Sequence, residues 1–449
     1  MKIKDIFKQD MYKRVTLKYV LFINILVWLS CPIWHNFIFI FDFKDLFGVN
    51  KDDEPIEINF NNWFSTDYQT SVEEYLVLHN PMSTFFVRVK NQIDYSMFGK
   101  LNMEKGVMGK KFYLFEKAYV DTYIGTDYIG EEALRTYLEK MKFVQDTLLK
   151  LNKEFIYIQA PGKASFYPEF LPDSIQAKIT MNTNYHTISK LLSEYKINYI
   201  DFVPVFLNDK KTAQYPLFTQ TGVHWSQYAM VLTMDSINHF IEKQMNIDLP
   251  NVYYDKIELD YARYGDADVE MVANLLFTIS DMKYGYPNYK FEPRENKDSP
   301  YVTLISDSYL GGLYWGNWFQ SFNKESQFWF YNKSIESEAI KGKVHRYQLD
   351  QNAIINKSDI IIVSTNEPNI RGRSWEFIDE MYDYYKYGKR VVDNKERIEF
   401  LRTVDSCKAT LTDREIEKAE QYMDTQNVTI DSAKTIYSIW KMSKSIFPK

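Results

Sequence analysis

The chain of 449 residues has only two cysteines, Cys31 and Cys407. Cys31 lies inside an apolar run and Cys407 near the C-terminus, so a bridge would have to tie that run to the tail, and no disulfide is expected. CxxC and HExxH are missing, and the six histidines lack metal-ligand spacing, so no metal is expected. Walker A and GxGxxG patterns are also missing, which leaves no cofactor to propose. Gly 16 and Pro 14 are few, so low-complexity linkers are not expected. An excess of basic charge is absent as well. Lys and Arg total 54 against 60 Asp and Glu, for a net charge of -6. Binding a polyphosphate needs a basic face, so nucleic acid is excluded as a partner.

The residues that are present describe a folded protein, 45% hydrophobic and 25% charged. A length of this size suggests about three domains, or one large α/β domain with attachments. Aromatics reach 17%, which could supply sugar-stacking faces, although core filling is the simpler account. Tyr19 to Phe41 carries no formal charge and is rich in Leu, Ile, Phe, Val and Trp. A bilayer core needs ~20 such residues. Lys2, Lys4, Lys8, Lys13, Arg14 and Lys18 precede it against Asp5 and Asp10, a surplus of four positive charges. The positive-inside rule then keeps the N-terminus cytoplasmic and exports the rest. A cleaved signal peptide is the alternative, but no small-residue cleavage site follows Phe41. An uncleaved transmembrane signal anchor is the reading adopted. The exported part is left with a charge of about -10, which favours a neutral or locally shielded glycan if a glycan is the substrate.

Residues 42 to 60 read as a charged juxtamembrane stalk, and 66 to 99 as mainly helical. A short hairpin is expected over Val107 to Phe115. From Leu134 the pattern alternates: a helix through Leu151, a strand at Phe155–Ile158, a helix over 183–195 and a strand at Ile197–Phe202. A helix over Ser226–Met245 follows, then strands at Tyr301–Ile305 and Asp359–Val363. Strands alternating with helices imply right-handed βαβ units and a parallel sheet covered on both faces, a doubly wound α/β fold. Residues 286 to 300 read as a polar loop and the tail from about 394 as helical, with Thr412 and Glu415 forming a capping box.

Ligands of open α/β sheets bind beyond the carboxyl ends of the strands. Three segments put reactive side chains there. Tyr301 to Tyr309 is a strand running into Asp307-Ser308. A serine on such a turn is exposed beside free amides that can serve an oxyanion, although Asp-Ser after a strand is commonly just a helix cap. Thr221 to Ser226 carries His224 immediately ahead of Trp225 and a helix. A lone histidine is usually structural, but serine needs an imidazole to take its proton before it can act as a nucleophile. Ile158 to Glu169 leaves a strand into Pro161-Gly162-Lys163, which brings a cation to the same rim or is simply a βα loop with an exposed lysine.

Taken together and in order, these pieces resemble the SGNH-type proteins related to the alginate O-acetyltransferases. The matching segments are Tyr68-Gln69 with His79-Asn80, Gly106 to Phe115, Pro161-Gly162-Lys163 with Tyr167-Pro168-Glu169, and His224-Trp225-Ser226. Asp307-Ser308-Tyr309 and the strand Asp359 to Thr365, leading into Asn366-Glu367-Pro368-Asn369, complete them. The resemblance spans roughly 60 to 395. It implies a flavodoxin-like (SGNH) three-layer parallel sheet. The expected organisation is a cytoplasmic basic segment (1–18), a transmembrane anchor (19–41), a stalk and helical segment (42–105), an SGNH-like acyltransferase domain (106–395) and a helical tail (396–449).

The resemblance makes Ser308 the nucleophile and His224 the general base, with Lys163, Trp225 and Tyr309 as substrate-binding residues. Asp307 is read as fixing the nucleophile loop, and the Ser308 amide as the first oxyanion donor. Family members commonly place an aspartate two residues before the histidine, and here that position is Gly222. Three arrangements are compatible with this change. A backbone carbonyl can orient His224, a carboxylate such as Glu367 or Asp201 can substitute, or the protein is a non-catalytic relative. The function expected is an exported, membrane-anchored O-acyltransferase, of acetyl groups, that modifies a cell-envelope polysaccharide through an acyl-serine. A multi-spanning membrane acyltransferase is the implied acyl donor. An extracytoplasmic carbohydrate esterase and a silent glycan-binding scaffold subunit are the alternatives.

Overall fold

A computed structural model of the chain describes residues 18–27, 30, 45–48, 64, 66–79, 81–178, 180, 182–263, 265–340, 343–389, 394–426 and 429–446. Residues 18–27 are helical, and most of the remaining expected anchor, including 31–41, lies outside the described residues. Among the described residues, no helix is long and apolar enough to cross a membrane.

The chain divides into two compact units, residues up to Gly106 together with Asp268–Ile279, and Val107–Ala267 together with Ser280–Lys449. In the first unit, the helices Thr66–His79 and Pro81–Phe98 fill the stretch expected to be helical. Arg88 Nη1 donates to Leu275 O at 3.1 Å and Asn91 Nδ2 to Ala273 O at 3.0 Å, so side-chain amide and guanidinium groups satisfy the backbone of 268–279.

The second unit is built on a seven-stranded sheet. After the short strands β1 (Gly106–Met108) and β2 (Leu114–Glu116) come β3 (Glu154–Ala160) and β4 (Tyr199–Asp201). A separate antiparallel pair, β5 (Val252–Tyr261) and β6 (Lys283–Phe291), follows. Then come β7 (Val302–Ser306), β8 (Gln327–Phe330), β9 (Ser334–Glu336), β10 (Lys343–His345) and β11 (Ile360–Asn366). The strand order is β10-β9-β8-β7-β11-β3-β4. β4, β3, β11, β7 and β8 are parallel, whereas β9 pairs antiparallel with both β8 and β10. The sheet is therefore mixed and not all-parallel as expected. The cause is local. Only Tyr331, Asn332 and Lys333 join β8 to β9, and three residues can turn a hairpin but cannot make a crossover.

β3, β7 and β11 are buried almost throughout, as their unbroken apolar runs require of strands covered on both faces. Phe155, Tyr157, Ile361 and Val363 pack on one face against Leu134, Leu138, Met141 and Val144 of the helix Glu131–Lys150, and against Phe377 and Ile378 of the helix Phe377–Tyr387. The helices Phe202–Asp209 and Ser308–Trp315 also adjoin the central strands. The expected polar loop at 286–300 is corrected in part: Tyr286 to Phe291 belong to β6, where Tyr284 and Tyr286 are buried. In the tail, the helices Asn394–Ala409, Asp413–Gln426 and Ile430–Ile446 form, and Thr412 and Glu415 make the expected reciprocal cap.

Candidate active site

Ser308 is the first residue of the helix Ser308–Trp315, which begins two residues beyond the end of β7. Its amide is one of the helix N-terminal donors with no intrahelical acceptor. Asp307 caps that helix, its Oδ1 accepting from Tyr309 N at 3.0 Å. Its Oδ2 accepts from Asn366 N and from Asn369 Nδ2, each at 2.9 Å, which ties the Ser308 turn to the end of β11. Burial raises the Asp307 carboxyl above its usual range, and these hydrogen bonds and the His224 ring pull it back. Asp307 thus holds the turn, with both of its oxygens engaged.

His224 lies on irregular backbone between an isolated bridge residue and a helix. Phe218 bridges Trp225, and Ser226 caps the helix Gln227–Met245 through Ala229 N. The loop between is held mainly by side chains. Lys163 is fully buried and donates to Leu114 O at 2.6 Å, Gln220 O at 2.8 Å and Gly222 O at 2.6 Å. Tyr309 OH donates to Val223 O at 2.8 Å, which joins the histidine loop to the helix Ser308–Trp315. Expected among the substrate-binding residues, Lys163 is instead interior and spends its ammonium on three carbonyls. An ammonium has three protons, so the match explains why the chain can bury it there.

These two structures bring His224 Nε2 to 2.9 Å from Ser308 Oγ. Both residues are half-buried. The pair opens into a recess of about 450 Å3 that is also lined by Trp225, Arg263, Asp266, Tyr286, Tyr309 and Trp315. The Tyr309 ring is 5.1 Å from both His224 and Trp225, and Trp225 stacks on Phe206 at 5.7 Å. Trp225 and Tyr309 therefore act chiefly as wall and support, each almost fully buried.

The carboxylates expected as possible partners of His224 are committed elsewhere. Asp201 accepts from Val203 N and from Tyr185 OH, both at 3.0 Å. Glu367 accepts from Gly162 N at 2.7 Å and from Ser165 Oγ. Burial lifts the Glu367 carboxyl to about 7. The carboxylate that lines the recess with His224 is Asp266, whose Oδ2 accepts from Tyr286 OH at 2.5 Å. No sequence motif marked it, because it is brought in by the strand pair β5 and β6. Gly222 has a clear steric reason: a Cβ there would lie 2.4 Å from Asp266 O and 2.5 Å from Thr219 Oγ1. Among the described residues, no cluster of His, Cys, Asp or Glu is arranged to hold a metal ion.

Residues 107–283 match the family model described as the SGNH hydrolase-like domain of the acetyltransferase AlgX. His224 falls inside this segment and Ser308 beyond it. No curated protein matches the chain. Among solved structures, the O-acetyltransferase domain of Pseudomonas putida AlgJ is 17% identical, with 62% of this chain and 98% of that one covered, at a TM-score of 0.41. Pseudomonas aeruginosa AlgX is 13% identical over 62% of this chain and 69% of its own, at 0.41. Bacillus cereus PatB1 is 13% identical over 61% and 99%, at 0.40. The resemblance read from the motifs is matched over residues 107–283, which are similar to the SGNH hydrolase-like domain of the acetyltransferase AlgX.

Proposed function

We propose that the protein is an exported, membrane-anchored O-acyltransferase that moves acetyl groups onto a cell-envelope polysaccharide through an acyl-serine. The observation that carries this reading is the 2.9 Å contact between His224 Nε2 and Ser308 Oγ beside an open recess at the carboxyl end of the sheet. With Nε2 as acceptor, the imidazole takes the serine proton as Oγ attacks the acyl carbon. The Ser308 amide at the helix N-terminus holds the oxyanion. The leaving oxygen departs with the proton from His224. A sugar hydroxyl, deprotonated by the same nitrogen, then attacks the acyl-serine and regenerates the site. Asp266 supplies negative charge in the recess where the imidazolium forms.

The uncharged stretch Tyr19 to Phe41 behind a basic segment supports the anchor and an extracytoplasmic position for the main domain. An exported site has no cytoplasmic acyl donor within reach, so the acyl group is delivered by a multi-spanning membrane acyltransferase. The test is the full chain carrying Ser308→Ala in cells that acetylate the cognate glycan. Loss of glycan acetate with unchanged protein level is the expected result, and undiminished acetate overturns the reading. Release of acetate to water in place of transfer, with the purified protein and added glycan, would reassign it as an esterase.

A further inference from the structure

The helix that begins with Ser308 ends in an exposed tryptophan. Gly312 and Trp315 follow Ser308 at i+4 and i+7, so the three share one face, and the indole stands about 10 Å further along the axis. Trp225, Trp318 and Trp329 are buried, as the apolar area of tryptophan favours, but Trp315 is 48% exposed. It is nonetheless fixed. Its Nε1 donates to Glu336 Oε2 at 3.1 Å, the rings of Phe328 and Phe330 meet it edge-on at 5.8 Å and 5.6 Å, and Lys343 Nζ stands 6.0 Å from its centre.

The adjacent glycines of this helix differ in what they accommodate. Gly311 seats the indole, since a Cβ there would lie 3.2 Å from Trp315 Cη2 and 3.0 Å from Phe328 Cζ. Gly312 has no such neighbour: a Cβ there would meet nothing within 4 Å, and its backbone is not left-handed. Glycine inside a helix is less stable than alanine, so neither conformation nor packing accounts for it. What the missing side chain leaves is space, and Gly312 lines the recess with Ser308 and Trp315. The recess also continues past both ends. Trp315 lines a second hollow, of about 790 Å3, with Tyr314, Asn317 and Gln320. On the opposite side, Arg263 and Tyr286 are shared with a third that holds Lys256 and Asn288.

We propose that Gly312 and Trp315 form the subsite for the sugar next to the one that is acetylated, so that the acceptor is a sugar inside a glycan chain and not a free one. The inference rests on the acyl-serine reading above. A pyranose ring has a C–H face that packs on an indole and hydroxyls at its rim that stay available, and a helix face without a Cβ lets such a ring lie close. The acyl group does not suit this place, because an acetyl on Ser308 Oγ carries a single methyl beyond its carbonyl and ends far short of the indole. With the chain seated, the hydroxyl of the neighbouring sugar gives its proton to His224 Nε2 as its oxygen bonds to the acyl carbon and the carbonyl electron pair moves onto oxygen. Collapse restores the carbonyl and breaks the bond to Ser308 Oγ, which takes the proton from His224. Gly312 and Trp315 exchange no proton, and they set which hydroxyl comes within reach.

The test uses the purified full chain, with p-nitrophenyl acetate as acyl donor and the de-O-acetylated envelope polysaccharide of its own cells as acceptor. It follows p-nitrophenolate release without acceptor, acetate carried by the polymer, and Tm. For Trp315→Ala, the polysaccharide concentration that half-saturates transfer should rise about tenfold or more, a larger change than any in release, and Trp315→Phe, which keeps a flat ring, should recover most of it. Gly312→Ala removes no contact, so Tm should be equal or higher while half-saturation rises about threefold or more. Wild-type half-saturation in either alanine variant, or a loss in release as large as the loss in transfer, overturns the subsite. Hydrolysing the polysaccharide to single sugars should lower wild-type transfer to the level of Trp315→Ala, and undiminished transfer overturns the assignment of an internal sugar. No polymer acetate from wild type, or wild-type release and transfer in Ser308→Ala, overturns instead the acyl-serine reading itself.

Discussion

Ser308 and His224 arrive at one hydrogen bond from opposite kinds of structure. Ser308 is presented by regular elements, since a fully buried strand ends, an aspartate caps, and a helix starts. Its position follows from sheet register and from a cap whose second oxygen is spent on β11. His224 stands on irregular backbone, and a buried ammonium and a phenol donate to its carbonyls and hold it in place. Sheet geometry tolerates change at many positions because its hydrogen bonds are numerous. The loop before His224 is held largely by single side chains, Lys163, Tyr309 and Tyr284, and has fewer bonds to lose. His224, and not Ser308, is therefore the fragile half of this site.

Removing either reacting group should have the largest effect and erase the asymmetry. Ser308→Ala and His224→Ala are each expected to lower acyl turnover by ~10³-fold or more, with melting temperatures close to wild type. Labelling with a fluorophosphonate, lost in the first and strongly slowed in the second, checks this.

The asymmetry itself is tested by Lys163→Met. This change takes the ammonium donor from three carbonyls inside the protein, of which Gln220 O keeps the Leu114 amide, so stability should fall by about 3 kcal/mol, and the freed loop should lower turnover by at least tenfold. Denaturant unfolding and ester turnover measure the two parts. A Lys163→Met protein as active as wild type would show that the loop holds itself.

The same side of the site should also respond to pH. Glu367 accepts from Gly162 N, next to Lys163, and burial raises its carboxyl to about 7 against the smaller opposing pull of its hydrogen bonds. A raised carboxyl favours the folded state while protonated, so this stabilisation is complete below about 4.5 and is lost as pH rises through about 7. The full effect is about 3 kcal/mol at most. Glu367→Gln should flatten that part of the stability profile, measured as Tm between pH 5 and 8. An unchanged slope would place the titration elsewhere.

The smallest effect is expected on the Ser308 side. Asp307→Asn keeps one acceptor oxygen for the cap and loses the paired acceptance from Asn366 and Asn369, for about 1–2 kcal/mol. Thermal unfolding reads it directly. A loss larger than that of Lys163→Met would invert the comparison.

The parts of this arrangement that were legible in the sequence are those set by local pattern. The apolar runs at Phe155–Ile158 and Asp359–Val363, the 3.6-residue period from Leu134 and the cap at Asp307 are each encoded within a few neighbours, and each forms as read. The pairing of His224 with Ser308 came from motif order, not from periodicity. Features decided by tertiary packing were not legible. β8, β9 and β10 are three or four residues long, and their hairpin turns through Tyr and Asn without a glycine to announce it. β6 was half hidden because Pro287 and Asn288 interrupt the alternation inside it. Lys163 reads as a surface cation in any linear window, and only three distant carbonyls reveal it as interior. Asp266 had no marker because its relation to His224 exists only after β5 and β6 pair.

The packing at Gly222 closes one route to a partner for the histidine. An aspartate placed there would drive its first side-chain carbon into the peptide at 266, so a carboxylate at 222 and the present course of the segment around 266 exclude one another.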